Sequence, residues 1–159
     1  MRTQTILFLA LFITGIFSGC KKDDAQPAEY DYLVFGKYYG FCGGENCIEV
    51  FKIENGVLYE DSSDVYPAGA PYQGAYVALS AAQYNLVKDL VNEIPAQLLN
   101  EPNGHIGIPD AYDQGGFVVE VKENGTVKYW RIDTHSAAIP AYLASFNDTL
   151  RSYIDAISN

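Results

Sequence analysis

The chain has 159 residues and a formal net charge of -10, from 20 Asp+Glu against 10 Lys+Arg. With 48% hydrophobic and 19% charged residues it is too apolar to remain disordered, and its length suits one domain rather than two. The twofold excess of acids argues against a nucleic-acid binder, because phosphate recognition draws on clustered Lys and Arg.

The chain opens as an address. After Arg2, residues 6–17 (ILFLALFITGIF) form an apolar run broken only by Thr14 and Gly15. A membrane-spanning helix needs about 20 apolar residues, so this shorter run reads as the hydrophobic region of a secretory signal. Phe17-Ser18-Gly19-Cys20 then resembles a bacterial lipobox, in which small residues precede a cysteine that is lipidated and becomes the mature N-terminus. The pattern prefers Leu where Phe17 stands, and the competing reading is ordinary secretion with cleavage near Gly19. Removing residues 1–19 would leave 140 residues, nine bases against 20 acids and a net charge of -11. Lys21-Lys22-Asp23-Asp24 resembles the export signal that sends Bacteroidota lipoproteins to the outer face of the outer membrane. It also reads as the start of a solvated tether over residues 20–29. Several acyl chains on Cys20 would anchor the protein firmly, whereas one chain alone is marginal.

With Cys20 lipidated, Cys42 and Cys47 remain, and two thiols in an oxidising compartment suggest one disulfide. Gly43, Gly44 and Asn46 between them tolerate positive φ, so the chain can reverse there. The expected feature is a stapled hairpin tip, worth about 2 kcal/mol in the chain-entropy model. Cys42, Cys47, His105 and His135 have the composition of a zinc site, but the two histidines are 30 residues apart with no local pairing.

Residues 32–39 (YLVFGKYY) and 48–53 (IEVFKI) read as strands. Asn55-Gly56 signals a hairpin into a third strand over residues 57–60. Pairing across it puts Ile53 and Leu58 on one face but Ile48 and Val50 on the other, which implies a bulge or a strand buried on both sides. Residues 61–78 read as a long loop. A helix follows, with Ser80 and Gln83 as a capping box and Leu79 and Tyr84 as a staple. Its apolar stripe is Tyr84, Val87, Leu90, Val91 and Ile94, and Pro95 ends it. Residues 103–116 form a loop with four glycines.

Residues 117–123 and 126–133 flank Asn124-Gly125. Pairing Glu123 with Thr126 sets Phe117, Val119, Val121, Trp130 and Ile132 on one core face. The opposite face carries Glu120, Lys122, Tyr129 and Arg131, with Val118 as its apolar exception, and so reads as wet. A final helix starts with Pro140 at N1 and buries Leu143, Phe146, Leu150, Tyr153 or Ile154, and Ile157. The expected architecture is a two-layer α+β domain over residues 30–159. It has an antiparallel sheet of about five strands in the order β-β-β-α-β-β-α, with both helices on one face.

Three segments, FGKYYGFCGGENCIEVFKIENGVLYED, GIPDAYDQGGFVVEVKENGTVKYWRIDT and IPAYLASF, together resemble a family of small, uncharacterised Bacteroidota surface lipoproteins. The likeness spans nearly the whole mature chain and includes Pro109-Asp110 and Asp113-Gln114-Gly115-Gly116. Many members carry cysteines where this chain has Ile108 and Ala111, which implies that a second small crosslink is missing here. The resemblance speaks to fold and location and brings no activity with it.

His105, Asp110 and Asp113 on the Gly-rich loop could converge on a hard cation or do acid–base work. Alternatively, Asp110 and Asp113 cap turns through their own backbone. Glu60, Asp61 and Asp64 read as a solvated acidic loop. Asp133-Thr134-His135-Ser136 holds an acid, an imidazole and a hydroxyl, but neighbours along a strand end rarely aim at one point. No nucleophile elbow, zinc-protease helix or phosphate loop occurs, so no cofactor is expected. Tyrosines crowd the loops, and Tyr38, Tyr39, Tyr66, Tyr72 and Tyr112 are candidate partner contacts, since Tyr offers amphipathic area at low entropy cost. The leading expectation is therefore a non-catalytic surface lipoprotein that binds a protein or a glycan. The alternatives are a small metal-dependent enzyme at His105, Asp110 and Asp113, and a structural envelope spacer.

Overall fold

A computed structural model describes residues 30–42 and 46–158. The signal segment, Cys20, the tether and residues 43–45 at the cysteine tip lie outside the described residues. The fold is α+β. Seven strands, β1 (Tyr32–Tyr38), β2 (Ile48–Glu54), β3 (Val57–Asp61), β4 (Tyr76–Ala78), β5 (Gly104–Ile106), β6 (Gly116–Glu123) and β7 (Thr126–Asp133), form one sheet in the order β4-β3-β2-β1-β6-β7-β5. Neighbours are antiparallel except β5, which runs parallel to β7, so the sheet is mixed. The two strands beyond the expected five, β4 and β5, are three-residue edge strands inside segments that read as loops. Each is held by pairing to the edge of β3 or β7 rather than by any periodicity of its own.

Both Asn-Gly turns form as read. Asn55 and Gly56 have φ of 52° and 74°, and Asn124 and Gly125 have 51° and 79°, the positive values that a two-residue turn needs to match strand twist. The register from Phe117 to Ile132 agrees pair by pair with the sequence reading. Ser80 accepts a hydrogen bond from the Gln83 backbone N–H at 3.2 Å, completing the capping box. The helix it starts, α1 (Ala81–Val87), is shorter than expected and tightens into a 3₁₀ turn over Lys88–Asn92. The three-residue spacing of Val87 and Leu90 suits that tighter turn, and both stay buried. The last helix, α2 (Ala141–Ile157), buries Leu143, Phe146, Leu150, Ile154 and Ile157, with Pro140 one residue earlier than expected, as the cap. No helix among the described residues is long and apolar enough to cross a membrane.

Both helices pack on one sheet face. Phe35, Phe51, Leu58, Val119, Trp130 and Ile132 of the sheet meet Leu90, Leu143, Leu150 and Ile154 in the main core. The opposite face is not wet. Val34, Tyr38, Ile48, Val50 and Val118 form a second buried cluster with Tyr72, and Glu120 and Arg131 are only 1% and 3% exposed. Strand β2 is thus buried on both sides, which resolves the divided register of Ile53 and Val50.

The cover is residues 62–75, a strap laid across this second face. Arg131 donates from Nε to the Pro67 carbonyl at 2.9 Å and from Nη2 to the Gly69 carbonyl at 2.7 Å. Glu120 accepts the Tyr72 N–H at 2.9 Å and the Tyr32 hydroxyl at 2.9 Å. Asp61, expected in a solvated loop, is instead buried and closes the strap. It accepts from the Tyr72 hydroxyl at 2.6 Å, the Ala75 N–H at 2.6 Å and the Ser63 N–H at 3.0 Å. Charged groups face inward here because the strap supplies the partners that buried charges require.

Burial pushes the Asp61 carboxyl pKa up, but the bonds from Tyr72, Ser63 and Ala75 outweigh it and hold the group below its ordinary value. A carboxylate depressed in the fold stabilises fully above its unfolded pKa, about 3.9. That contribution is lost as pH falls through the lower folded value. Acid titration followed by urea unfolding should show stability declining below about pH 4. Asp61→Asn should flatten that decline, and an unchanged slope in the variant would exclude Asp61 as its source.

Candidate functional site

The sheet has two poles. Tyr30 and Asp31 enter beside the Asn55-Gly56 and Asn124-Gly125 turns, where the Gly125 N–H donates to Asp31 Oδ2 at 3.2 Å. A cavity of about 640 Å³ opens there, lined by Tyr30, Asp31, Ile53, Glu54 and Glu123 among others. At the other pole Tyr38 pairs with Ile48 and Gly116, and Gly116 pairs with Asp133. Cys42 and Cys47, residues 107–115 and the connection from Asp133 to α2 therefore share the far pole. The two cysteine sulfurs lie at disulfide distance, 1.89 Å, and the Tyr39 N–H donates to the Cys47 carbonyl at 2.9 Å just below them.

The 107–115 loop is held from several sides. Asp133, buried at the end of β7, accepts the Ile108 N–H at 3.0 Å on one oxygen and the His135 N–H at 2.8 Å on the other. Asp110 takes a positive φ of 59° and accepts the Gly115 N–H at 3.0 Å on Oδ1. Its Oδ2 accepts the Tyr66 hydroxyl at 3.2 Å, which ties the loop to the strap. Burial and then the Asp110 charge raise the Tyr66 pKa above its ordinary value. Gln114 bridges within the loop, accepting from the Tyr112 N–H at 2.7 Å and donating to the Ile108 carbonyl at 3.1 Å. A Cβ on Gly40 would crowd Asp110 Oδ2, so a larger residue there would displace the Asp110 side chain.

What this frame displays is apolar. Ile108 and Tyr112 stand out from the loop, and a groove of about 360 Å³ runs between them and Gln114, Asp133, His135 and Ala138. Phe41, next to Gly40, is 87% exposed and Tyr112 is 83% exposed, with Val65 and Tyr66 of the strap also on the surface. These exposed apolar side chains lie on loops and a strap that are braced by the hydrogen bonds above.

The expected site residues divide accordingly. Tyr66 and Tyr112 are exposed at the far pole, and Tyr39 is half-buried against Gly115. Tyr38 and Tyr72 are buried, 2% and 7% exposed, and offer a partner nothing. Tyr38 meets Tyr66 edge-on at 5.1 Å, and Tyr72 locks the strap. His105, Asp110 and Asp113 do not form one constellation. His105 lies on β5 and lines a separate hollow with Tyr129, Arg131 and the strap. The Asp110 carboxylate is a turn cap and the anchor for Tyr66, as the alternative reading of that residue foresaw. Among the described residues no three His, Cys, Asp or Glu side chains are placed to hold a metal ion.

Sequence reasoning passed over Asp133, Gln114, Arg131 and Glu120 as structural parts of this region. A signal for the buried second face was present: Val118, Ile48 and Val50 all point to the side that the charges had marked as wet. Comparison with protein-family models, curated proteins and solved structures finds no match to this chain. The class that fold and site define is therefore read from geometry alone: a small α+β module that presents a braced apolar surface at one pole.

Proposed function

We propose that this chain is a lipid-anchored protein of the outer membrane, exposed at the cell surface, and that it acts by binding a protein or glycan without catalysis. Support for the anchor comes from the apolar run at residues 6–17, the lipobox-like Phe17-Ser18-Gly19-Cys20 and the Lys21-Lys22-Asp23-Asp24 stretch. The observation that carries the binding reading is the position of Phe41, Ile108 and Tyr112. They stand exposed at the pole opposite Tyr30, where the chain arrives from its tether. An anchor at Cys20 would attach the domain at its entry pole and leave the far pole free of the attachment. The groove beside Tyr112 gives the module a concavity that a mere spacer does not need.

A photo-activated diazirine residue at position 112, on intact cells, is expected to give a discrete adduct. The same residue at Val77, exposed on edge strand β4, is expected to give none. Tyr112→Ser should leave stability within about 0.5 kcal/mol, as for an open surface site. It should weaken partner binding about tenfold, as loss of a central aromatic contact does. Equal labelling at 77 and 112, or none at 112, would remove the reading.

A further inference from the structure

We infer that the far-pole groove takes a cationic segment of a protein partner, a Lys or Arg flanked by aliphatic residues. This rests on the binding reading above and specifies its partner. The far-pole loops, residues 38–48, 107–116 and 133–140, contain no Lys or Arg. The loop beside the groove carries Asp110 and Asp113, and Asp133 lies in the groove wall. The entry pole is different: its acids Asp31, Glu54 and Glu123 are interleaved with Lys52 and Lys122, and Lys52 is paired with Glu54 at 2.8 Å. Lys37, the base nearest the far pole in sequence, is held by Glu49 and Asp155 at 3.3 and 3.4 Å. Arg131 is turned inward to the strap carbonyls. Acids at the far pole thus outnumber the bases near it, of which Arg151 lies over the Phe117 ring at 5.4 Å, and they border an apolar groove.

That combination fits one side-chain chemistry. Aliphatic flanks can lie on Ile108 and Ala138, and the stem of a Lys or Arg is itself apolar. The cationic head can sit over the exposed Tyr112 ring, which attracts it through the ring quadrupole, within the field of Asp113. An acidic segment would meet like charge, and a neutral glycan would make no use of the field. Electrostatic attraction of this kind chiefly speeds encounter and selects the partner.

The test uses the intact chain, isotope-labelled, with four defined probes: the peptide Leu-Lys-Leu-Lys-Leu, the same peptide with Glu or with Ser in place of Lys, and maltohexaose. The expected result is that the lysine peptide shifts the amide resonances of Ile108, Tyr112 and Ala138. The serine peptide should bind there about tenfold more weakly, and the glutamate peptide not at all. Raising salt from about 50 to about 500 mM should weaken the lysine peptide about tenfold, because surface charge is screened. Asp113→Asn, at an exposed position, should weaken it about threefold with the spectrum of the fold unchanged. Groove binding by the serine peptide or maltohexaose as strong as by the lysine peptide would overturn the cationic assignment and leave the binding reading standing. Shifts confined to Asp31, Glu54 and Glu123 would overturn it by showing that net charge alone is at work. No shift at the groove with any probe would also overturn it, and cross-linking at position 112 then decides the broader reading separately.

Discussion

Arg131→Ala is expected to cost about 3–5 kcal/mol, the range for removing one member of a buried, hydrogen-bonded charge set. The guanidinium is 3% exposed and bridges two strap carbonyls, Pro67 and Gly69. Alanine removes both bonds at once and leaves the carbonyl of buried Pro67 without its donor. It also leaves Glu120, buried on the same sheet face, without the positive charge it faces. Arg131→Lys should recover only part of the loss, because an ammonium is a point donor and cannot span two carbonyls as a planar fork does. In urea the unfolding midpoint should fall by about 2 M with an unchanged slope, given about 1–3 kcal/mol per molar for a domain of this size. Amide exchange over residues 62–75 should accelerate before the rest of the sheet. A loss below about 1 kcal/mol, or unaltered strap protection, would refute the assignment of Arg131 as the strap's clasp. The effect should reach the far pole too. Tyr66 rides on the strap and its hydroxyl braces Asp110, so a loosened strap should blur the groove and weaken binding without touching a contact residue.

Trp130→Ala is expected to cost about 3–5 kcal/mol, the usual range for an aromatic deleted from a packed core. Trp130 is fully buried in the main core, at the centre of β7 and opposite Val119 of β6. The informative comparison is Trp130→Phe. The indole Nε1 is buried with no hydrogen-bond partner among the described residues, and an unsatisfied buried donor costs about 1–3 kcal/mol. Phenylalanine gives up some contact area but removes that donor, so its net cost should stay below about 1.5 kcal/mol. Thermal and urea unfolding of the two variants decide the point. If Phe proves as damaging as Ala, the indole N–H is satisfied after all and volume is not the governing quantity.

The parts of this fold that were legible in advance are those whose causes lie close together in the chain. The Asn-Gly turns need positive φ at two successive residues, and both occur. Once Glu123 faces Thr126, every later pair to Phe117 and Ile132 is determined, because side chains alternate with period two. The capping box of α1 spans four residues, and the stripe of α2 repeats at helical spacing. The turn-capping role of Asp110 was likewise readable, since its partner Gly115 is five residues away.

What failed to show in advance depends on residues far apart. Arg131 and Glu120 look like solvated residues on two alternating strands. Their partners in the strap lie 64 and 48 residues away, and no local pattern announces that a Pro-containing segment will fold back over them. Strands β4 and β5 are too short to have a period. Tyr38 and Tyr72 carry the same composition signal as Tyr66 and Tyr112, yet one pair is buried and the other exposed.

By itself the sequence determined the envelope address as an expectation, two hairpins and their register, the core stripe of each helix, and an acid-rich chain with bases missing from particular stretches. Only the tertiary structure decided that the second sheet face is covered and that the far-pole loops meet. It also decided that Ile108, Tyr112 and Phe41 stand exposed where those base-free stretches converge. The physical reason is range. Turn dihedrals, caps and periodicity are settled by neighbours within a few residues. Burial, field and surface shape are settled by which distant segments pack together, and here that choice rests on one strap and the charges beneath it.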